Sequence, residues 1–75
     1  MTELYTFTKC CDVIWANRKE KALSYAASYA MAGMSMTDPV SQKVQALYIL
    51  NNMQRWRGDE AKKVRESLKL VGGVK

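Results

Sequence analysis

The sequence predicts an all-α domain made of three helices, a long first helix followed by a helical hairpin. Apolar residues recur at steps of three and four over long segments, which is the helical period. Pro39 and Gly58 lie between those segments, where a helix can start or end. A chain of 75 residues allows one domain, residues 1–75, and a domain of this size buries only about 60% of its unfolded surface.

The first helix is predicted over residues 9–34. This segment contains no proline, and its first glycine is Gly33. A bend near Asn17 is compatible with the pattern. One stripe runs down a single face and consists of Val13, Ala16, Glu20, Leu23, Ala27, Ala30 and Met34.

Small residues form a second repeat on this helix, at Ala22, Ala26 and Ala30. Small side chains let another backbone approach closely, so a second helix is expected against this face. That helix belongs either to the hairpin of the same chain or to another subunit. Because 48% of the residues are apolar, more than one thin core requires, we expect the chain to associate with itself through these alanines as a homo-oligomer.

The second helix is predicted over residues 39–57. Asp38 supplies the N-cap, and Pro39 occupies the first helical position, where its missing N–H costs nothing. The apolar arc is wide, so this helix is expected to be the most buried one. Trp56 falls on the same face as Ile49 and Met53, which favours a core position at the corner of the hairpin.

The third helix is predicted over residues 59–71, with Gly58 as the break and Asp59 as the cap. Its buried stripe is narrow and consists of Ala61, Val64, Leu68 and Val71. Charged side chains cover the remaining faces.

Catalysis is disfavoured by the residue types. The chain has no histidine, the commonest general base and metal ligand, and its carboxylates are scattered at capping and ion-pairing positions. Cys10 and Cys11 are adjacent, a spacing that suits neither a disulfide nor a metal site, and no base except a lysine is available to activate them. The sequence therefore predicts a non-enzymatic protein with no catalytic residues, cofactor or metal.

The net charge is +5 and the pI is about 9.4, which favours an anionic partner such as a nucleotide, a nucleic acid or an acidic protein. Aromatic rings beside cations suit a nucleotide, which offers a base to stack and phosphates to neutralise. The predicted ligand-binding residues are Arg18, Lys21, Tyr25, Tyr29, Arg55, Arg57, Lys62 and Arg65, with Lys69 in the same basic band as the last two. The alternative is that the cations form solvated helix faces and that the tyrosines lie in a subunit contact.

The longest uncharged stretch, residues 22–37, is interrupted by serines and glycine and is shorter than a membrane span. The first residues lack the basic and apolar regions of a signal peptide. We therefore expect a cytoplasmic protein without a membrane partner, in the host cytosol if the protein is viral.

The run from Leu47 to Leu68 contains Asn51-Asn52, Arg55-Trp56-Arg57-Gly58, Ala61, Val64-Arg65 and Leu68. In these residues the chain resembles small phage and prophage helical proteins of unassigned function. The resemblance implies a viral context, in which small helical proteins bind and disable host machinery. Two kinds are similar in character: anti-CRISPR proteins that coat a nucleoprotein complex, and oligomeric sponges that trap cyclic-nucleotide signals.

The leading hypothesis is a phage-type, anti-defence inhibitor that sequesters a cyclic nucleotide or a nucleic-acid segment as a homo-oligomer. A second hypothesis is an anti-CRISPR-like inhibitor whose basic face covers an acidic or nucleic-acid-mimicking surface of a host nucleoprotein complex. A third is a small DNA-binding accessory protein.

Overall fold

The computed structural model describes residues 4–73, which form four α-helices rather than the predicted three. The helices are α1 Phe7–Ala16, α2 Ser24–Gly33, α3 Pro39–Asn51 and α4 Asp59–Gly72, with a 3₁₀ turn at Lys21–Leu23. The all-α class is confirmed for residues 4–73. Both α1 and α3 pack against α2 and α4, so the helices surround one core.

The prediction of one helix over residues 9–34 is wrong, because the chain leaves the helical path at Asn17. The side-chain amide of Asn17 donates to the carbonyl of Val13 at 2.8 Å. The guanidinium of Arg18 donates to the carbonyl of Trp15 at 3.0 Å, a carbonyl that a continuing helix would bond to the N–H of Lys19. The backbone N–H of Arg18 also bonds to the carbonyl of Trp15, three residues back, at 3.1 Å, so the last turn tightens, α1 ends and α2 turns back to pack against it.

The helix that starts at Pro39 ends at Asn51, so the prediction that it continues to Arg57 is wrong. The side-chain amide of Asn52 donates to the carbonyl of Tyr48 at 2.8 Å, while the backbone N–H of Asn52 bonds to the carbonyl of Ile49 at 3.0 Å. This tightening closes the last turn and leaves residues 52–58 as an irregular connection.

Trp56 is buried in this connection, with 8% of its surface exposed. The predicted core position of Trp56 is therefore confirmed, although the residue lies outside any helix. Its carbonyl accepts a hydrogen bond from Arg65 of α4 at 2.9 Å. The indole and this hydrogen bond together tie the connection to α4.

The start of α3 agrees with the sequence. The carboxylate of Asp38 accepts hydrogen bonds from the backbone N–H of Ser41 at 3.1 Å and from its hydroxyl at 3.0 Å. Pro39 occupies the first helical position. This N-cap is a local arrangement, which explains why the residue types alone predicted it.

The start of α4 differs in one respect. Gly58 itself is the N-cap, with φ of +113°, and Asp59 is the first helical residue. A side chain rarely adopts that φ, so glycine at position 58 permits the turn. Asp59 stabilises the helix start through its charge near the positive end of the helix dipole rather than as a cap.

The core is apolar and is shared by all four helices. Its members are Phe7, Cys10, Cys11, Val13, Ile14, Leu23, Ala26, Ala27, Ala30, Ala46, Ile49, Met53, Trp56, Ala61, Val64 and Leu68. Gly33 lies where the end of α2 meets the start of α1. An added Cβ at position 33 would be 2.8 Å from Cζ of Phe7, so only glycine allows this approach.

The alanine face does not remain open for another subunit. Ala26 and Ala30 have no exposed surface, and Ala22 is partly buried against the same core. The second helix expected against this face therefore belongs to the same chain. The prediction that Ala26 and Ala30 form an oligomer interface is corrected on this ground.

Candidate anion-binding grooves

Two grooves flank the C-terminal half of α3. The α2–α3 groove has a volume of about 310 Å³ and is lined by Lys21, Ala22, Ser24, Tyr25, Asn51, Asn52, Gln54 and Arg55. The α3–α4 groove has a volume of about 470 Å³ and is lined by Leu47, Leu50, Asn51, Gln54, Arg65 and Lys69. Asn51 and Gln54 belong to both grooves, so the two form one continuous surface.

All charged side chains that line these grooves are cations. Lys21 and Arg55 lie in the α2–α3 groove, and Arg65 and Lys69 lie in the α3–α4 groove. Within residues 4–73, no carboxylate lines either groove. The positive potentials of these cations therefore add over the shared surface, which favours an anionic ligand.

The end of α3 sets the position of the shared residues. Because the helix closes at Asn52, Asn51 stays on the last helical turn while Gln54 follows on the irregular connection. Both side chains are exposed amides, which can donate and accept hydrogen bonds. Such groups can contact the edge of a nucleobase or a sugar hydroxyl.

The other wall of the α2–α3 groove is positioned by Leu23. Leu23 has no exposed surface and anchors the 3₁₀ turn in the core, with Lys21 exposed at the start of the turn. Tyr25, in the first turn of α2, is 74% exposed. An exposed ring beside cations is an arrangement that stacks on a base while the cations neutralise phosphate.

Three of the predicted ligand-binding residues, Lys21, Tyr25 and Arg55, therefore lie in one groove, and Arg65 lines the adjoining one. They come from separate segments, and only the fold brings them together. Lys69, predicted in the same basic band as Arg65, also lines the α3–α4 groove.

The remaining predicted residues do not line these grooves. The guanidinium of Arg18 lies 4.7 Å from the ring centroid of Trp15, at the end of α1. The ring of Tyr29 stacks on that of Tyr48, with centroids 5.6 Å apart and an interplanar angle of 16°. Arg57 is exposed and lies outside both grooves.

Lys62 lines a third groove of about 420 Å³, together with Tyr5, Asp59, Glu60, Lys63 and Glu66. Three of these six side chains are carboxylates, so this groove does not favour an anion. The hydroxyl of Tyr5 donates to Glu60 at 2.9 Å, and this hydrogen bond is the main reason that the pKa of Tyr5 is raised. Lys63 lies 4.3 Å from the Tyr5 ring centroid.

The residue types and their spacing do not predict a ligand-binding role for Asn51, Gln54 or Ser24. Asn51 is among the residues that carry the resemblance to phage proteins, but its spacing does not show which groove or surface its side chain lines. The predicted continuation of α3 to Arg57 also placed Gln54 on a regular helix. The orientation of Gln54 depends on where α3 ends, and that is a property of the folded chain.

The two cysteine thiols are buried, and burial raises the pKa of Cys10 to about 11 and that of Cys11 to about 12. Both are therefore protonated at neutral pH and poorly nucleophilic. Within residues 4–73, no group of three or more acidic or cysteine side chains is arranged to hold a metal ion. None of the helices in this range has the length and apolar character needed to cross a bilayer.

No protein-family model matches the chain. Comparisons with curated proteins and with solved structures give no significant match either. Function is therefore inferred from the grooves themselves.

Proposed function

We propose that the protein is a non-enzymatic binder that holds an anionic ligand, either a nucleotide or a short single-stranded nucleic-acid segment, across the two grooves beside α3. The main support is the charge of the shared surface. Lys21, Arg55, Arg65 and Lys69 line it, and no carboxylate does so within residues 4–73.

Each kind of side chain has a role in this proposal. The cations contact phosphate, since the guanidinium group in particular offers paired donors that match phosphate oxygens. Tyr25 stacks on a base. The amides of Asn51 and Gln54, which lie between the two pairs of cations, bond to base edges or sugar hydroxyls.

An unpaired strand suits this surface better than a duplex. Stacking on Tyr25 requires an exposed base face, which a duplex keeps within its own stack. A helix that reads the major groove also presents polar side chains, whereas the outward side of α3 carries Val40, Val44 and Tyr48. The ligand is therefore proposed to be a free nucleotide or single-stranded.

Binding itself is the activity in this proposal, as the hypothesis of a phage-type inhibitor expects. In this proposal the protein sequesters its ligand stoichiometrically, as an anti-defence inhibitor would.

The test is fluorescence anisotropy with a labelled oligothymidylate of about ten nucleotides, a length within the range that single-strand-binding folds cover. Cyclic and linear nucleotides are tested in parallel by thermal shift, where ligand at 100 times Kd adds roughly 2.7 kcal/mol of stability. We expect binding to weaken steeply between about 50 and 200 mM salt.

The matched pair of variants is Arg55→Ala and Arg57→Ala. Both arginines are exposed and flank Trp56, but only Arg55 lines a groove. We expect Arg55→Ala to weaken binding about tenfold, from loss of a charge-assisted hydrogen bond, and Arg57→Ala to change it much less. If both variants lose the same amount of binding affinity, the interaction depends on net charge and not on the groove. If no nucleotide or oligonucleotide binds, the proposal fails and an acidic protein surface becomes the preferred partner.

A further inference from the structure

The α3–α4 groove differs from its neighbour in having an apolar floor. Leu47 and Leu50 line it, and both side chains are partly buried. Among residues 4–73, the α2–α3 groove is lined by no branched aliphatic side chain, and Tyr25 supplies its aromatic ring. Nucleobases stack on aromatic side chains and also pack against apolar ones. The two grooves therefore offer two different surfaces on which a base can lie.

The apolar floor is held in place by the fold. Leu50 packs against the buried core of the domain. Leu47 lies where α3 meets the end of α4, because a Cβ added to the buried Gly72 would be 2.8 Å from Cδ2 of Leu47. Since the core and the backbone of α4 fix the two leucines, a ring that covers them costs little conformational entropy in the protein.

The rim of the same groove carries groups that suit a phosphate. Its charged residues are Arg65 and Lys69. A guanidinium has five N–H donors, and the hydrogen bond from Arg65 to the carbonyl of Trp56 uses one of them, so others are available to a ligand. An apolar floor with a few polar groups at its rim is the usual composition of a small-molecule site. Here that composition complements a nucleobase that is linked to a phosphate.

The volumes of the grooves indicate how much of a ligand each can hold. They are about 310 Å³ for the α2–α3 groove and about 470 Å³ for the α3–α4 groove. Ligand pockets range from roughly 300 to 1,000 Å³, so both grooves lie in the lower half of that range. Each suits one base, and the wall formed by Asn51 and Gln54 joins them into one continuous surface.

We propose that the ligand contains at least two nucleobases joined by a phosphodiester, one lying on Tyr25 and the next on Leu47 and Leu50. This inference rests on the proposed function, because it takes the grooves to bind nucleotides. The sugar–phosphate link crosses the shared wall, where Asn51 and Gln54 contact base edges and sugar hydroxyls and the cations on either side contact phosphate. The minimal ligand is therefore a dinucleotide, and a mononucleotide fills only one groove.

Isothermal titration calorimetry with two thymidine probes tests the number of bases. The first probe is the dinucleotide pTpT, which has two bases and one terminal phosphate. The second is thymidine 3′,5′-bisphosphate, which has one base and two terminal phosphates and so carries at least as much negative charge. If charge alone governed binding, the bisphosphate would bind at least as tightly. We expect pTpT to bind at least about tenfold more tightly, because the second base adds its own contacts.

The matched variants are Leu47→Ala and Leu70→Ala. Leu70 is 67% exposed on α4 and lines neither groove. We expect Leu47→Ala to weaken pTpT binding about fivefold and to change bisphosphate binding much less, because the single base lies on Tyr25. Leu70→Ala is expected to change neither affinity, and Tyr25→Ala is expected to weaken both. Circular dichroism and thermal unfolding establish that the variants are folded.

The comparison of the two probes uses the unmodified chain, so it is decisive even if Leu47→Ala does not fold. Equal affinities, or tighter binding of the bisphosphate, would overturn the two-base assignment and leave nucleotide binding in place. Oligothymidylate binding without measurable pTpT binding would overturn it as well, and so would equal effects of Leu47→Ala on both probes. If neither probe nor oligothymidylate binds, the proposed function fails together with this inference.

Discussion

The guanidinium of Arg65 donates a hydrogen bond to the backbone carbonyl of Trp56, 2.9 Å away. The contact joins α4 to the irregular connection that carries Arg55 and Gln54. Arg65 therefore holds the wall between the two grooves in addition to placing a charge in one of them. Lys69 lines the same groove without that contact to Trp56.

The first prediction compares Arg65→Ala with Lys69→Ala. Loss of the Arg65 hydrogen bond leaves the Trp56 carbonyl without its side-chain donor, so we expect the free energy of unfolding to fall by about 1 to 2 kcal/mol. Lys69→Ala is expected to leave stability nearly unchanged, because the side chain is exposed. Urea unfolding measures both.

In the anisotropy assay both variants should weaken oligothymidylate binding, because each removes a groove cation. An Arg65→Ala protein as stable as the unmodified chain would contradict the positioning role of Arg65. A Lys69→Ala protein that binds normally would remove the α3–α4 groove from the proposed site.

The second prediction concerns Gly33→Ala. In an exposed helix this change normally stabilises by up to about 1 kcal/mol, because alanine is the better helix former. Here the new methyl group would lie 2.8 Å from Cζ of Phe7 and 3.1 Å from Sγ of Cys11, both buried. We expect a loss of about 1 to 3 kcal/mol, as for other overpacked cores.

The double variant with Phe7→Leu provides the control, because a smaller side chain at position 7 leaves room for the methyl group. Gly33→Ala should then cost less in the Phe7→Leu background than in the unmodified chain, and a double-mutant cycle from chemical denaturation gives the coupling. Stabilisation by Gly33→Ala alone would mean that α1 and α2 do not approach this closely.

The third prediction concerns alkaline pH. Burial raises the pKa of the Cys10 thiol from 9.0 to about 11 and that of Cys11 to about 12. The folded chain therefore keeps both protons at a pH where the unfolded chain releases them. Stability is fully present below pH 9 and is lost as the pH rises toward 11, because the unfolded state is then favoured by deprotonation.

Urea unfolding between pH 7 and 10.5 measures this loss of stability. The interval begins below the ordinary thiol pKa and ends just below the raised pKa of Cys10. The double variant Cys10→Ala and Cys11→Ala should reduce the pH dependence, while the titration of Tyr5 remains in both proteins. In the native state both thiols should also react slowly with a disulfide reagent at neutral pH. Rapid reaction without unfolding would contradict their burial.

Several features depend on local physical rules, and the sequence predicted them. The helix start at Asp38 and Pro39 requires only an acceptor side chain and a fixed φ. The break at Gly58 requires only a residue that tolerates positive φ. The burial of Trp56 could be predicted because a large apolar side chain gains more from the core than from water.

The helix ends could not be predicted in the same way. Asn17 and Asn52 each bond a side-chain amide to a carbonyl four residues earlier, which ends α1 and α3. An asparagine in an apolar periodic segment is compatible with continuation of the helix or with its end. Which one occurs depends on whether the following residues pack better in a new direction.

By itself, the sequence determined the all-α class, the positions of its strongest breaks and a set of basic and aromatic residues suited to an anion. Only the tertiary structure decided that Lys21, Tyr25 and Arg55 share one groove, that Ala26 and Ala30 are covered by their own chain, and that Val40, Val44 and Tyr48 of α3 stay exposed. The physical reason is that periodicity and capping act within a few residues. Which helix faces pack against each other depends on the total apolar area that all four helices bury together.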